Sequence, residues 1–276
     1  MEELRWYGKT LPKEHKEIRI LVISDLHYGN PYYSEKHFQR TLDFIKNNDN
    51  VYCFLNGDLC ETVTVASKGD IYKQIVEPKM QRDNVSEMLM PIKNKILAMT
   101  TGNHESRIKE TDISEDIAKN LGVPYRPEGV LFKLSFGSGN EHHAEKPFVF
   151  WGYLTHGYGG ARTKSAKAVK VERISTYVHA DFYCMSHDHV VNVAPDIYLI
   201  PDNRGIEKNG VTTGLVHAKR KMLIKSNAYL KWGGYSEFGG FSPTDLTTPV
   251  INLLTPQSDY WDMYPEKHHQ AVKVSV

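Results

Sequence analysis

A chain of 276 residues with 40% hydrophobic and 24% charged residues can bury a sizeable core without covalent staples, as an ordinary globular protein does. Lys and Arg total 34 against 33 Asp and Glu, a formal net charge of +1. Bulk charge therefore does not by itself suggest a nucleic-acid or membrane partner, and any such preference must come from local patches. Cys53, Cys60 and Cys184 cannot all pair and have no C-x-x-C spacing, so buried thiols are expected. Met1–Arg5 lacks the apolar stretch of a secretion signal, and no window approaches the roughly 18 apolar residues of a membrane span. A cytoplasmic setting without a membrane partner is the expectation.

Residues 1–17 read as a polar lead-in. Ile18–Ser24 is a β-branched apolar run that ends at Asp25, which predicts a strand delivering a polar residue at its carboxyl end. The arrangement recurs where Val51–Asn56 runs into Gly57-Asp58 and Lys95–Thr101 into Gly102-Asn103-His104. It recurs again where Pro147–Thr155 runs into His156 and Asp181–Ser186 into His187. Helical spacing marks Ser34–Asn47, Asp83–Lys95 with a kink or early end at Pro91, and Thr163–Val178 with Ala166, Val169, Ile174 and Val178 on its apolar side. Val190–Pro201, Thr212–Ile224, Val250–Leu254 and Ala271–Val276 read as later strands, whereas Asn227–Thr248 lacks periodicity. Strand and helix alternate, there is no repeat or convincing linker, and a single α/β domain over residues 1–276 is expected.

The chemistry lies at the strand ends. Open α/β sheets place their sites outside the carboxyl ends of strands. Asp25-x-His27, Gly57-Asp58, Gly102-Asn103-His104-Glu105, Thr155-His156-Gly157 and Ser186-His187-Asp188-His189 follow one another there. Carboxylate, carboxamide and imidazole together suit a pair of borderline or hard divalent metals. D-x-H and Gly-Asp are common and weak alone, Gly-Asn-His-Glu is a stronger signal, and five motifs in order leave little room for coincidence.

This series resembles the calcineurin-like metallophosphoesterase superfamily, from Asp25 to His189. The resemblance implies a four-layer αββα sandwich, with two central mixed β-sheets flanked by helices and two metals at one end. It implies Asp25, His27 and His189 on one metal and Asn103, His156 and His187 on the other, with Asp58 bridging. His104 corresponds to the general acid and transition-state stabiliser, and Glu61 to an acidic residue that can orient that histidine. Two departures stand out. Ser186 replaces the usual Gly before the last H-x-H, and Leu59-Cys60-Glu61-Thr62 lacks the Asp-Arg-Gly of the protein Ser/Thr phosphatases.

The expected reaction is attack of metal-bound hydroxide on a phosphate ester, with Mn²⁺, Fe or Zn²⁺ as cofactors. A phosphodiester, DNA or RNA included, is the favoured substrate. The alternatives are a phosphomonoesterase or nucleotidase acting on a small molecule, and a catalytically silent metal-binding scaffold. The lean toward nucleic acid rests on Arg162, Lys164, Lys167, Lys170 and Arg173, a basic run after His156, with Arg162 the candidate substrate contact. A solvated helix face is the competing reading of that run. Tyr229–Phe241 is expected to pack rather than stack bases. His142-His143 is expected in a solvated loop, and His15, His37, His179, His217, His268 and His269 as solvent or core residues.

Overall fold

The computed structural model describes all residues except 1–3, 68–69, 138–141, 144–145, 148 and 265–269, and only the backbone of 142, 143, 146, 147 and 235. In chain order the first half holds β1 (Tyr7–Leu11), β2 (Glu17–Ile23), α1 (Glu35–Asn47), β3 (Val51–Asn56), α2 (Pro78–Leu89), β4 (Ile96–Thr100), α3 (Ile113–Leu121) and β5 (Val130–Phe136). The second half holds β6 (His142–His143), β7 (Lys146–Pro147), β8 (Val149–Thr155), α4 (Lys164–Ile174), β9 (Phe182–Met185), β10 (Asn192–Lys208) and β11 (Val211–Lys225). Short α5 (Tyr235–Phe238), β12 (Val250–Leu254), α6 (Tyr260–Met263) and β13 (Val272–Ser275) complete it.

Two mixed sheets are stacked, one in the order β13-β12-β2-β3-β4 and the other β1-β5-β8-β9-β11-β10. Strands β3, β4 and β9 are buried along their whole length because both faces are covered. Along β2, Ile18, Ile20 and Val22 meet Phe132, Leu134 and Phe182 of the facing sheet. Leu21 and Ile23 point the other way, into a layer with Phe38, Leu42, Val85, Leu89 and Ile117 of α1, α2 and α3. Helix α4 covers the outer face of the second sheet through Val171 and Ile174 against Tyr183 and Leu223. The expected four layers are therefore present. Among the described residues no helix is long and apolar enough to cross a membrane.

Several boundaries differ from the sequence reading. The lead-in holds β1, which pairs in parallel with β5, and neither β5 nor α3 stands out by periodicity. Helix α2 begins at Pro78, where a missing N–H costs nothing, and gives way to a 3₁₀ turn (Met90–Lys95) around Pro91. The two late strands are one long hairpin closed at Asn209-Gly210, whose φ values of 56° and 77° suit a tight two-residue turn. Residues 142–143 pair with 146–147 as a short ladder, and His268 and His269 lie outside the described residues. All three cysteines are free and buried.

Phe54 and Phe132 meet edge to face across the two sheets with ring centroids 5.3 Å apart. Phe54→Ala empties a site with no exposure and is expected to cost about 3–5 kcal/mol in urea unfolding. A loss below about 1 kcal/mol would mean the sheets do not pack through this pair.

Candidate metal centre

Strands β2, β3 and β4 run parallel to one another, as do β8 and β9, so their carboxyl ends lie together in each sheet. Asp25 and His27 follow β2, Asp58 follows β3, Asn103 and His104 follow β4, His156 follows β8, and His187 and His189 follow β9. The two sheets bring the Asp and His side chains of this series into overlapping groups. Three groups place their ligand atoms within 4.8 Å of one another: Asp25, His27 and His189; His27, Asp58 and His104; and Asp58, His156 and His187.

The backbone is bent hard to achieve this. Seven non-glycine residues among those described have left-handed φ, and five are Asp25 (49°), His27 (49°), Asp58 (51°), His187 (71°) and His189 (51°). Asp, Asn and His tolerate this region better than most residues, yet it costs on the order of 1–3 kcal/mol each and persists only where neighbours enforce it. The enforcing contacts are local. Asp25 N–H donates to Gly57 O (3.0 Å) and His27 N–H to Asp58 O (3.0 Å), tying the β2 and β3 ends together. Gly57 has φ +77°, and a Cβ there would come within 2.6 Å of Gly102 N. A Cβ on Gly102 would collide with Asp58 itself. The buried Glu105 carboxylate accepts N–H bonds from Asp58 (3.0 Å), Cys60 (2.9 Å) and Gly102 (3.2 Å), which staples the two turns. Glu105 was missed by sequence reasoning beyond its place in the Gly-Asn-His-Glu motif.

Hydrogen-bond partners fix which nitrogen of His27, His156 and His187 carries the proton. His27 Nδ1 faces the Glu61 carboxylate (2.9 Å) and His156 Nδ1 faces Asn56 O (2.7 Å), so both must donate there. His187 Nε2 donates to Gly159 O (2.6 Å). The opposite nitrogens are lone pairs turned into the site. His156 Nε2 lies 3.1 Å from Asp58 Oδ2, His189 Nε2 lies 3.2 Å from Asp25 Oδ1, and His27 Nε2 lies 3.2 Å from His189 Nε2. Asp25 Oδ1, His156 Nε2 and His187 Nδ1 are buried without a hydrogen-bond partner. Acceptors packed this closely repel unless cations or added protons lie between them, and divalent metals fit this donor set.

The protonation equilibria of the metal-free site agree with that picture. Burial opposes the charge on His27, but Glu61, Asp58 and Asp25 outweigh it and raise its pKa to about 9. Burial likewise opposes the charge on His156, and Asp58 above all raises it to about 10. Burial disfavours the Asp58 carboxylate, yet His156 and His104 hold its pKa well below the usual range. His104 behaves differently. Burial lowers its pKa to about 4, against the pull of Asp58 and with the help of His27 and Arg107. Its Nδ1–H donates to Glu61 O (2.9 Å) and its Nε2 accepts from Arg107 (2.8 Å), so the ring is neutral. Glu61 thus serves two histidines: its carboxylate holds His27 and its peptide oxygen holds His104.

Asn103 stands exposed on the wall of a cleft of about 550 Å³ that also includes Gly102, Arg107, Lys109, His156 and Gly157. Arg107 and Lys109 were not singled out by sequence reasoning, although Arg107 follows three residues after His104. The basic run does not survive as a single surface. Lys167 and Lys170 are buried and bond to Asp188, and Val169, assigned above to the apolar side, is 41% exposed. Side-chain amphipathicity misled the periodicity: Lys stems, not Val169, line the covered face. Arg162 instead lies over the Phe241 ring, 4.3 Å from its centroid. In the aromatic segment Tyr229 is buried and the Trp232 indole bonds Phe241 O, while Phe238 is exposed. His37 packs on Tyr229, and His179 and His217 pair with Tyr198 and Asp202.

Residues 18–191 match the sequence profile of the calcineurin-like phosphoesterases, and the chain belongs to that family. The fold and the site thus define a metallophosphoesterase, and family membership supports phosphoester hydrolysis as its class of activity. Among solved structures, a predicted phosphoesterase from Streptococcus pneumoniae TIGR4 is similar at 12% identity, TM-score 0.37, over 86% of this chain and 83% of that one. Wild-type Vps29 from Entamoeba histolytica, complexed with zinc, is similar at 11% identity, TM-score 0.41, over 94% and 97%. Nuclease MPE from Pseudomonas putida is similar at 13% identity, TM-score 0.37, over 84% and 82%. No curated protein matches the sequence.

The two raised imidazoles give a signed prediction for chelator-treated protein. Below about pH 6.5 both the folded and unfolded chains hold these protons and the stabilisation is complete. Between there and the folded values of about 9 and about 10 the unfolded chain has released protons that the folded chain keeps. The stabilisation from His27 and His156 is therefore lost as pH rises through that window. Urea midpoints of metal-free protein are expected to fall from about pH 6.5 to about pH 10, and a rise would contradict the assignment. Metal binding needs the neutral rings, so its affinity should increase over the same range.

Proposed function

We propose that the protein is a dinuclear metal-dependent phosphodiesterase, with a nucleic acid among its candidate substrates. The observation that carries this reading is the convergence of unpartnered buried acceptor atoms from Asp25, His156 and His187 at the strand ends. Asp25, His27 and His189 would hold one divalent ion, Asn103, His156 and His187 the other, and Asp58 would bridge. Bound there, Mn²⁺, Fe or Zn²⁺ would supply Lewis-acid charge for hydrolysis.

The remaining steps belong to the chain. Arg107 and Lys109 line the cleft beside Asn103 and His156, where they can bind the non-bridging oxygens and the anionic backbone of a diester. An anionic substrate competes with His104 for the Arg107 guanidinium and, by its own charge, favours protonation of the imidazole. His104 then gives a proton from Nε2 to the leaving oxygen while Nδ1–H stays on Glu61 O. Arg162, planted on Phe241, is the second candidate substrate contact. Burial of Lys167 and Lys170 narrows the basic surface, so support for a phosphodiester now comes from the cleft residues and Arg162.

The test compares bis-(p-nitrophenyl) phosphate, p-nitrophenyl phosphate and single-stranded DNA with Mn²⁺-loaded protein. Diester and DNA turnover supports the proposal, and turnover of the monoester alone refutes the diester preference. His104→Ala is expected to retain metal and lose roughly 10²–10⁴-fold in turnover. Asp58→Ala is expected to lose metal as well, by elemental analysis. Equal metal loss in both variants would remove His104 from its proton-transfer role. Arg107→Ala should raise KM for the diester while leaving metal content unchanged, which separates substrate binding from ligation.

A further inference from the structure

The residue between the last two histidine ligands is an acid that touches no ligand atom. Asp188 is buried, with a side chain 3% exposed, and both of its oxygens face ammonium groups. Lys170 Nζ approaches Oδ1 at 2.7 Å and Lys225 Nζ approaches Oδ2 at 2.6 Å. Lys167 Nζ donates to the Asp188 peptide oxygen at 3.0 Å, and Lys225 Nζ also donates to Ser186 O at 2.7 Å. The loop is therefore held at its carboxylate and at two of its carbonyls by lysines from α4 and from the end of β11. Lys225 has no solvent exposure at all. Burying three ammonium groups beside one carboxylate is costly unless the geometry they impose is needed.

What they impose is the direction of His187 and His189. Those two residues have φ of 71° and 51°, so the peptide on each side of Asp188 is turned into a left-handed bend. A bend of that kind reverts unless its centre is fixed. With the Asp188 side chain pinned away from the site, the imidazoles on either side are turned toward Asp25 and Asp58. Ser186, one residue earlier, joins the same scaffold through Asn56 Nδ2 (2.6 Å) and Ser226 Oγ (2.8 Å).

We propose that Asp188 is a positioning residue, anchored by Lys170 and Lys225, that sets the two imidazoles of the β9–β10 loop for both metal positions. The inference rests on the metal-centre reading above. It assigns the buried part of the basic run to holding ligands rather than substrate.

The experiment measures Mn²⁺ binding by calorimetry and the visible absorption of Co²⁺-loaded protein for wild type, Asp188→Asn and Lys225→Met. Leu253→Ala, in the core between the sheets, serves as a control that lowers stability without touching the loop. Asp188→Asn keeps the side-chain shape and removes the charge. It is expected to weaken Mn²⁺ binding by roughly 10–100-fold and to change the Co²⁺ spectrum, because groups that orient ligands carry effects of that size. The control is expected to lose stability at unchanged Mn²⁺ affinity, which a merely structural role for Asp188 would imitate. A folded Asp188→Asn protein with wild-type Mn²⁺ affinity and Co²⁺ spectrum would overturn the inference. If that variant does not fold, Lys225→Met decides in the same way. If wild type itself binds no Mn²⁺, the metal-centre reading fails and the inference falls with it.

Discussion

Electron-pair acceptors crowded together out of water are the constraint on which this structure turns. His27, His156 and His189 bring ring nitrogens to within 3.1 to 3.2 Å of carboxylate oxygens or of one another, with all of these side chains buried except that of His189. In the metal-free protein, protons on His27 and His156 relieve that repulsion, which is why their pKa values stand far above an ordinary imidazole. Divalent cations relieve it better, because each can be shared by several acceptors at once. The site is thus poised between proton and metal, and the surrounding fold keeps it from relaxing in any third way.

That resistance is built from ordinary parts. Parallel strands in two stacked sheets set the ends side by side, and the aromatic contact between Phe54 and Phe132 is one of the contacts that keep the sheets in place. Glycines at 57 and 102 allow the β3 and β4 turns to touch, and Glu105 then closes the gap by accepting three backbone N–H groups. On the other side the Asp188 loop is fixed by lysines. Each half of the centre therefore has its own buried carboxylate that binds protein rather than metal. One meets peptide N–H groups and the other meets ammonium groups, because the first lies inside a pair of tight turns and the second faces a helix and a strand end.

The neutral state of His104 follows from the same crowding. Its neighbours include a protonated His27 and the Arg107 guanidinium, so a second positive ring is disfavoured until negative charge enters the cleft. Under the proposed reaction that charge is the substrate itself. Protonation of His104 is then coupled to occupancy, and Arg107 is the residue that must exchange partners. Under that proposal Arg107 belongs to substrate recognition, and the His104 proton is present only when substrate is.

Residue order along the chain made the centre legible before any coordinates. Asp25, His27, Asp58, Asn103, His104, His156, His187 and His189 each follow an apolar run, and a run buried on both faces is recognisable as a strand without knowing its neighbours. The short strand β1 and the helix α3 carried too little periodic signal to be read. The first strand of the β10–β11 hairpin was read as ending at Pro201, seven residues before Lys208, because the exposed residues beyond it alternate poorly and the register shifts there. The pairing of Asp188 with Lys167, Lys170 and Lys225 was beyond sequence reasoning for a different reason. A charged residue pairs inside a protein only when its partner is brought from elsewhere in the chain, and Lys225 lies 37 positions beyond Asp188. Local composition, then, determined the family, the strand ends and the ligand types. Only tertiary structure decided which nitrogen faces inward, which acids turn toward the candidate metal centre and which turn into the protein, since those outcomes depend on contacts that sequence distance conceals.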